Sequence, residues 1–164
     1  MSPLSKKYSL KSVRSAWCGA APLENITQRR FQALLAANSP VTQVWGMTEL
    51  TCIATLTNYP EADDTGAVGR LIPNMEAKLV DDDDNNISAY DTRGELLVRG
   101  PTLINGYFDN LKANQESYDH EGFFRTGDIA YCDSKTKLWY IVDRKKASLI
   151  QQMTCRPSNF GFRN

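Results

Sequence analysis

A mixed α/β fold is predicted, with one strand–helix–strand unit followed by a small, mostly β module. Three observations predict it. A short apolar-alternating run in "VRSAWCGAAPL" reads as a strand ending in a small-residue turn at residues 19–22. Good helix formers then fill residues 24–37, and "VTQVW" reads as a second strand beyond the Asn38-Ser39-Pro40 stop. After Pro60 short β patterns alternate with Gly, Pro and Asp turns.

In the first unit, Ile26, Phe31, Leu34 and Leu35 mark an apolar helix face, and Asn25 with Gln28 resembles a capping box. Two strands joined through a helix predict a parallel pair. In the second part, "MEAKLV" places Met75, Ala77 and Leu79 on one face, and "GELLVRG" and "LWYIVD" are further strands. The acidic run at residues 81–84 lacks the glycine and distal glutamate of a calcium hand and reads as a solvated hairpin turn. The last stretch, "QQMTCRPSNFGFRN", has neither helical nor strand period and reads as a loose tail.

Composition narrows the function classes. Hydrophobic residues make up 41% of the 164 and charged residues 23%, enough for a buried core. Lys plus Arg equals Asp plus Glu at 19 each, which argues against nucleic acid or an anionic membrane as partner. No apolar run is long enough to span a bilayer, and the N-terminus has no apolar core of the signal-peptide kind. Cys18, Cys52, Cys132 and Cys155 are widely spaced and His120 is the single histidine, so a zinc site is not expected. Reduced thiols and a cytoplasmic location are expected. The glycosylation-like triplets at Asn25 and Asn86 are then chance matches.

Four stretches could carry chemistry, and each also has a plain structural reading. "CGAAPL" has the small residues that let a flat ligand lie on the backbone, or it is a tight connection with Pro at a helix start. In "QVWGMTEL", Trp45 could stack on a base, Gly46 permits close approach, Thr48 could donate to a phosphate, and Glu49 could hold Mg2+. Thr-Glu pairs are equally common at helix starts. "FRTGD" sets Asp128 after a glycine turn, where a carboxylate could accept from two vicinal hydroxyls, or it is an ordinary turn. "VDRKK" could bring Arg144 and Lys146 to phosphate or ribose oxygens, or it is a solvated basic strand end.

Taken in order, these stretches resemble the adenylate-forming superfamily, specifically the acyl-CoA synthetases related to 4-coumarate–CoA ligase. "YSLKSVRSAWCGAAPL", "QVWGMTE", "GAVGRLIPNMEAKLVD", "GELLVRGPTLINGYFDN", "EGFFRTGDIAYCD" and "LWYIVDRKK" each match a family motif, in family order and at compatible spacings. The resemblance covers residues 8–146.

The resemblance implies an α/β fragment in which one strand–helix–strand unit of a larger sheet precedes a distorted β-barrel subdomain. Residues 1–64 would belong to the sheet subdomain, 65–146 to the barrel ending at a hinge, and 147–164 to a divergent tail. It further implies ATP-dependent activation of a small-molecule carboxylic acid to an acyl-adenylate, followed by thioester formation with CoA. Thr48, Glu49 and Lys146 would be the catalytic residues, with Glu49 the Mg2+ ligand. Ala20, Ala21, Pro22, Gln43, Trp45, Gly46, Thr48, Asp128 and Arg144 would bind the nucleotide, ATP or AMP. Gly19, Val44, Gly46, Cys52 and Ile53 would border the acyl pocket.

Val44 stands where the family has Gly, and "LTCI" where hydroxycinnamate ligases have "AGPV". A methylene or two shifts apolar discrimination by roughly 1–3 kcal/mol, so 4-coumarate is not carried over as substrate. The glycine-rich phosphate loop of the family is not in this sequence, and the tail departs from the family after Lys146. A truncated ligase fragment, incomplete for catalysis, is therefore expected. The alternative is a non-catalytic adenylate-binding or interaction remnant. In either case, sheet surface left exposed is expected to promote self-association.

Overall fold

The computed structural model describes residues 8–145. The first unit runs strand β1 (Ala16–Cys18), helix α1 (Asn25–Gln32) and strand β2 (Val41–Gln43). The two strands pair in parallel, Ala16 against Val41 and Cys18 against Gln43, as the helical connection requires. A single 3-10 turn, Thr48–Leu50, follows, then an antiparallel pair of two-residue strands, β3 (Thr55–Leu56) and β4 (Arg70–Leu71).

The second part is an antiparallel sheet of five strands in the order β6-β5-β7-β8-β9: β5 (Glu76–Val80), β6 (Asn86–Ile87), β7 (Gly94–Arg99), β8 (Phe124–Cys132) and β9 (Trp139–Arg144). Its main core gathers Trp45, Leu50, Val68, Met75, Leu79, Leu96, Val98 and Phe124, and so joins the two parts of the chain. Val80, Leu97 and Phe123 form a second cluster. β7 is therefore buried on both faces, which is why "LLV" at residues 96–98 reads as a continuous apolar run rather than an alternation.

Several expectations are corrected. The barrel does not close among the described residues. β6 ends the sheet with two residues, and beyond β9 only an isolated bridge, Gly69 with Trp139, reaches toward β4. Closure needs edge strands long enough to pair along their length, and β4 and β6 are too short. α1 stops at Gln32 rather than Ala37, because the Gln32 side chain turns to β2, donating to Ser39 O at 2.6 Å and accepting from Val41 N at 2.9 Å. The capping box is not formed: the N-cap is Glu24, without a side-chain cap, and the buried Gln28 amide donates inward to Val41 O at 2.7 Å. Ile26 points to solvent, 64% exposed, while Leu35 carries the buried contact.

A helix also interrupts the β module: α2 (Leu111–Ser117), capped by Asn110, whose side chain accepts from Ala113 N at 3.1 Å. It buries no residue, so it leaves no apolar period to read. The acidic run is a hairpin turn between β5 and β6, with Asp81 Oδ1 accepting from the N–H groups of Asp83 and Asn85. No helix among the described residues is long and apolar enough to cross a membrane.

Candidate functional site

The turn after β1 is shaped by crowding and then pinned. A Cβ on Gly19 would fall 2.9 Å from Val44 Cγ2, so glycine lets Val44 lie over the chain there. Ala20 adopts the left-handed region at φ 72. The far end of the turn is fixed by Gln43 on β2. Its buried amide accepts from Leu23 N at 2.8 Å and donates to Leu23 O at 3.1 Å, satisfying both backbone groups as a neighbouring strand would.

Beyond Gln43, the chain at Trp45 is held by the β3 region. Ala54 N donates to Trp45 O at 2.9 Å, and Trp45 N donates to Thr55 Oγ1 at 3.2 Å. Gly46 permits this approach: a Cβ there would lie 1.9 Å from Cys52 O and 2.5 Å from Ile53 Cα. Cys52 and Ile53 thus press on Gly46 through their backbone.

Asp128 is delivered by a bulge in β8. Glu95 pairs with Ile129 and Leu97 with Arg125, so three residues of β8 oppose Leu96 alone. Gly127 takes φ 71 within that bulge, and Thr126 closes it by donating to Leu96 O at 2.7 Å. "FRTGD" is therefore no loop turn; the irregularity lies inside a nine-residue strand and re-aims the carboxylate. Asp128 is 5% exposed. The Trp45 indole N–H donates to Asp128 Oδ2 at 2.8 Å, and Arg144, directly across the ladder on β9, donates from Nε to Oδ1 at 2.9 Å. That bond and its charge raise the Arg144 pKa.

These groups surround a cavity of about 430 Å3, within the range of small-molecule sites. Ala20, Ala21, Pro22, Gln43, Val44, Trp45 and Gly46 form one wall, and Asp128 and Arg144 stand on the other. Gly19, Cys52 and Ile53 support this wall from behind rather than lining it. Thr48 is exposed on the 3-10 turn and lines neither this cavity nor the next. Glu49 lines a second cavity, of about 640 Å3, that meets the first at Arg144. Lys146 lies outside the described residues.

Sequence reasoning missed Gly66, Val68, Ile141 and Val142 in the first cavity. It also missed Tyr107, whose hydroxyl donates to Glu49 Oε1 at 2.8 Å. Burial, and then the bond to Glu49, push the Tyr107 phenol up to about 12. "GAVGRL" and "NGYFDN" stood out as motifs, but nothing local ties either one to a partner many residues away.

The donor set can be tested against a nucleotide and its cation. Among the described residues no cluster of three or more His, Cys, Asp or Glu could enclose a metal. Mg2+ does not need one, since it is commonly held by one or two carboxylates together with substrate phosphates and water. Glu49 fits that single-carboxylate role, and the small-residue turn beside a buried acid fits a purine nucleoside.

Comparison with known proteins identifies the family. The family described as "AMP-binding enzyme" matches residues 2–108, and the chain belongs to that family. Among its relatives, the acyl-CoA synthetase ACTT5 of Alternaria alternata is 62% identical over 88% of this chain and 25% of its own length. The phenylacetyl-CoA ligase epaB of Aspergillus niger is 57% identical over 85% of the chain and 26% of its own. The crystal structure of ATP-bound MatB from Rhodopseudomonas palustris superposes with a TM-score of 0.69 at 30% identity, over 79% of this chain and 25% of that one. The chain spans about a quarter of the length of the curated relatives it matches.

Proposed function

We propose that this chain forms the adenine- and ribose-facing wall of an ATP-dependent acid–CoA ligase. The observation that carries the reading is the buried Asp128 carboxylate, held by Trp45 and Arg144 at the mouth of the small-residue turn. A ribose diol is matched by one carboxylate accepting two hydrogen bonds. Arg144, two-thirds exposed, can leave Oδ1 to make room, whereas the buried Trp45 bond keeps Oδ2 in place.

In this reading the adenine lies on residues 20–22 and Thr48 donates to the α-phosphate. Glu49 would hold Mg2+, which would offset phosphate charge, and Lys146 would be a further cationic partner of the adenylate phosphate. A substrate carboxylate oxygen bonds to the α-phosphorus as pyrophosphate leaves. The CoA thiol then bonds to the acyl carbon, losing its proton, and AMP departs. Val44, packed over Gly19, narrows the acid's entry and so disfavours bulky acyl groups at that point. The reading also carries cytoplasmic residence. It carries self-association along the β1 edge, at the exposed Trp17, which sedimentation at rising concentration tests.

Calorimetric titration of AMP into the full chain tests the central claim. Binding is expected, and Asp128→Ala is expected to weaken it by about tenfold or more, since hydrogen bonds to a charged group are worth roughly 1.5–3 kcal/mol. A folded chain that ignores AMP, or an Asp128→Ala variant that binds it equally well, overturns the proposal.

A further inference from the structure

Glu49 does not stand alone in its cavity; a distant loop is fastened to it. Residues 104–110 run between β7 and α2, and Ile104 N donates to the Glu49 carbonyl at 2.9 Å. The Tyr107 hydroxyl then reaches the Glu49 side chain, donating to Oε1 at 2.8 Å across 58 residues of sequence.

The loop is held in turn by α2 and the residue after it. The Asn114 side chain accepts from Tyr107 N at 2.6 Å and donates to Tyr107 O at 3.0 Å, so it bridges both backbone groups of the residue that touches Glu49. Tyr118 donates its hydroxyl to Ile104 O at 2.6 Å. Gly106, at φ 146, lets Asn114 come this close, because a Cβ there would lie 2.9 Å from its Oδ1. A carboxylate on a 3-10 turn has free side-chain torsions unless something fixes them. Here a phenol fixes one oxygen, and a carboxamide fixes the backbone that carries the phenol.

We infer that Tyr107 is a positioning residue that aims the Glu49 carboxylate at a divalent cation, and that Asn114 holds Tyr107 in place to do so. The inference rests on Glu49 being the cation ligand, as proposed above. Tyr107 takes Oε1 and leaves Oε2 for the cation. Outer partners of this kind fix the orientation of a ligand, and losing one typically costs about 10- to 100-fold in metal affinity.

Mn2+ serves as the probe. It is titrated into the full chain saturated with AMP, free Mn2+ is read by electron paramagnetic resonance, and AMP affinity is measured separately in EDTA. Tyr107→Phe, which removes a single oxygen, is expected to weaken Mn2+ binding about tenfold, with AMP affinity in EDTA and melting temperature unchanged. Asn114→Asp, which keeps the acceptor and loses the donor to Tyr107 O, is expected to move Mn2+ affinity in the same direction. Unchanged Mn2+ affinity in both variants overturns the positioning role, and AMP binding in EDTA shows that the nucleotide reading survives it. Loss of AMP affinity together with a lowered melting temperature also overturns it, because that marks a general structural role. A wild-type chain that binds AMP but no Mn2+ removes the cation from Glu49 and the inference with it. A chain that binds neither removes the nucleotide reading as well.

Discussion

The two hydrogen bonds on Asp128 look alike in length but should differ in worth, and a pair of double-mutant cycles can separate them. The Trp45 indole N–H is buried, so its bond to a carboxylate belongs to the charge-assisted class worth roughly 1.5–3 kcal/mol. Arg144 meets the same carboxylate with a side chain that is 66% exposed. Water screens that pair, which places it in the range of about 0–1 kcal/mol.

Asp128→Ala should therefore cost about 2–3 kcal/mol in all, because it orphans a buried donor as well as breaking the ion pair. Asp128→Asn should cost about 1 kcal/mol: its oxygen still accepts from Trp45, while its NH2 opposes another donor on Arg144. Urea unfolding followed by far-ultraviolet circular dichroism gives each stability without depending on Trp45 fluorescence. The decisive quantity is the order of the couplings. Asp128→Ala with Trp45→Phe should couple by more than 1.5 kcal/mol, and Asp128→Ala with Arg144→Ala by less than about 1 kcal/mol. Equal couplings, or the reverse order, would refute the assignment of Trp45 as the anchor and Arg144 as the movable partner.

Three further outcomes follow from the same geometry. Gly46→Ala should destabilise by about 3 kcal/mol, the upper end of overpacking costs, since its methyl meets Cys52 backbone; an unfolding free energy from urea titration within about 0.5 kcal/mol of wild type contradicts this. Ala20→Gly should stabilise by roughly 0.5 kcal/mol, because the left-handed conformation costs an L-residue about 1–2 kcal/mol and glycine returns part of that through its unfolded-state entropy. A measurable loss of stability in that variant would show that the Ala20 methyl contributes more than the strain it bears. Burial pushes the Asp119 carboxyl up, but Lys78 and the N–H groups of Phe123 and Glu121 outweigh it and hold the pKa below the ordinary 3.8. A carboxyl depressed on folding contributes stability above its unfolded pKa and loses it as pH falls through the folded value. Asp119→Asn should therefore lose less stability than wild type between about pH 5 and pH 2, and parallel urea midpoints across that window would contradict it.

The features that were legible in the sequence are those set by neighbours in the chain. The parallel β1–β2 unit followed from a helical connection between two apolar runs, and the acidic hairpin from its turn chemistry. Trp45, Asp128 and Arg144 each stood in a recognisable pattern, and the structure brings all three to one cavity. What stayed hidden depends on contacts across the fold. Gly127 looks like a turn because its positive φ fits one, yet only pairing with β7 and β9 makes it a bulge inside a strand. Gln32 reads as another helical residue until its amide is seen spanning to Ser39 and Val41. α2 and Tyr107 were invisible for a related reason: one buries nothing, and the other's partner is 58 residues away.

The site also has a construction principle that no single motif expresses. Two loops that line the cavities, residues 19–23 and 104–110, belong to no sheet, so their backbone groups lack ladder partners. In each case a carboxamide supplies both bonds: Gln43 to the N–H and carbonyl of Leu23, and Asn114 to those of Tyr107. A carboxamide presents a donor and an acceptor side by side, as an adjacent strand does, but it occupies only one residue and leaves the rest of the loop free to face a ligand. Gln43 reaches out from a strand and Asn114 from a helix, so each loop is indexed to a regular element rather than to the other loop. Glutamate or aspartate in these places would lose the donor and set a carboxylate against a carbonyl oxygen. The shape of each loop is therefore enough to require an amide at these places.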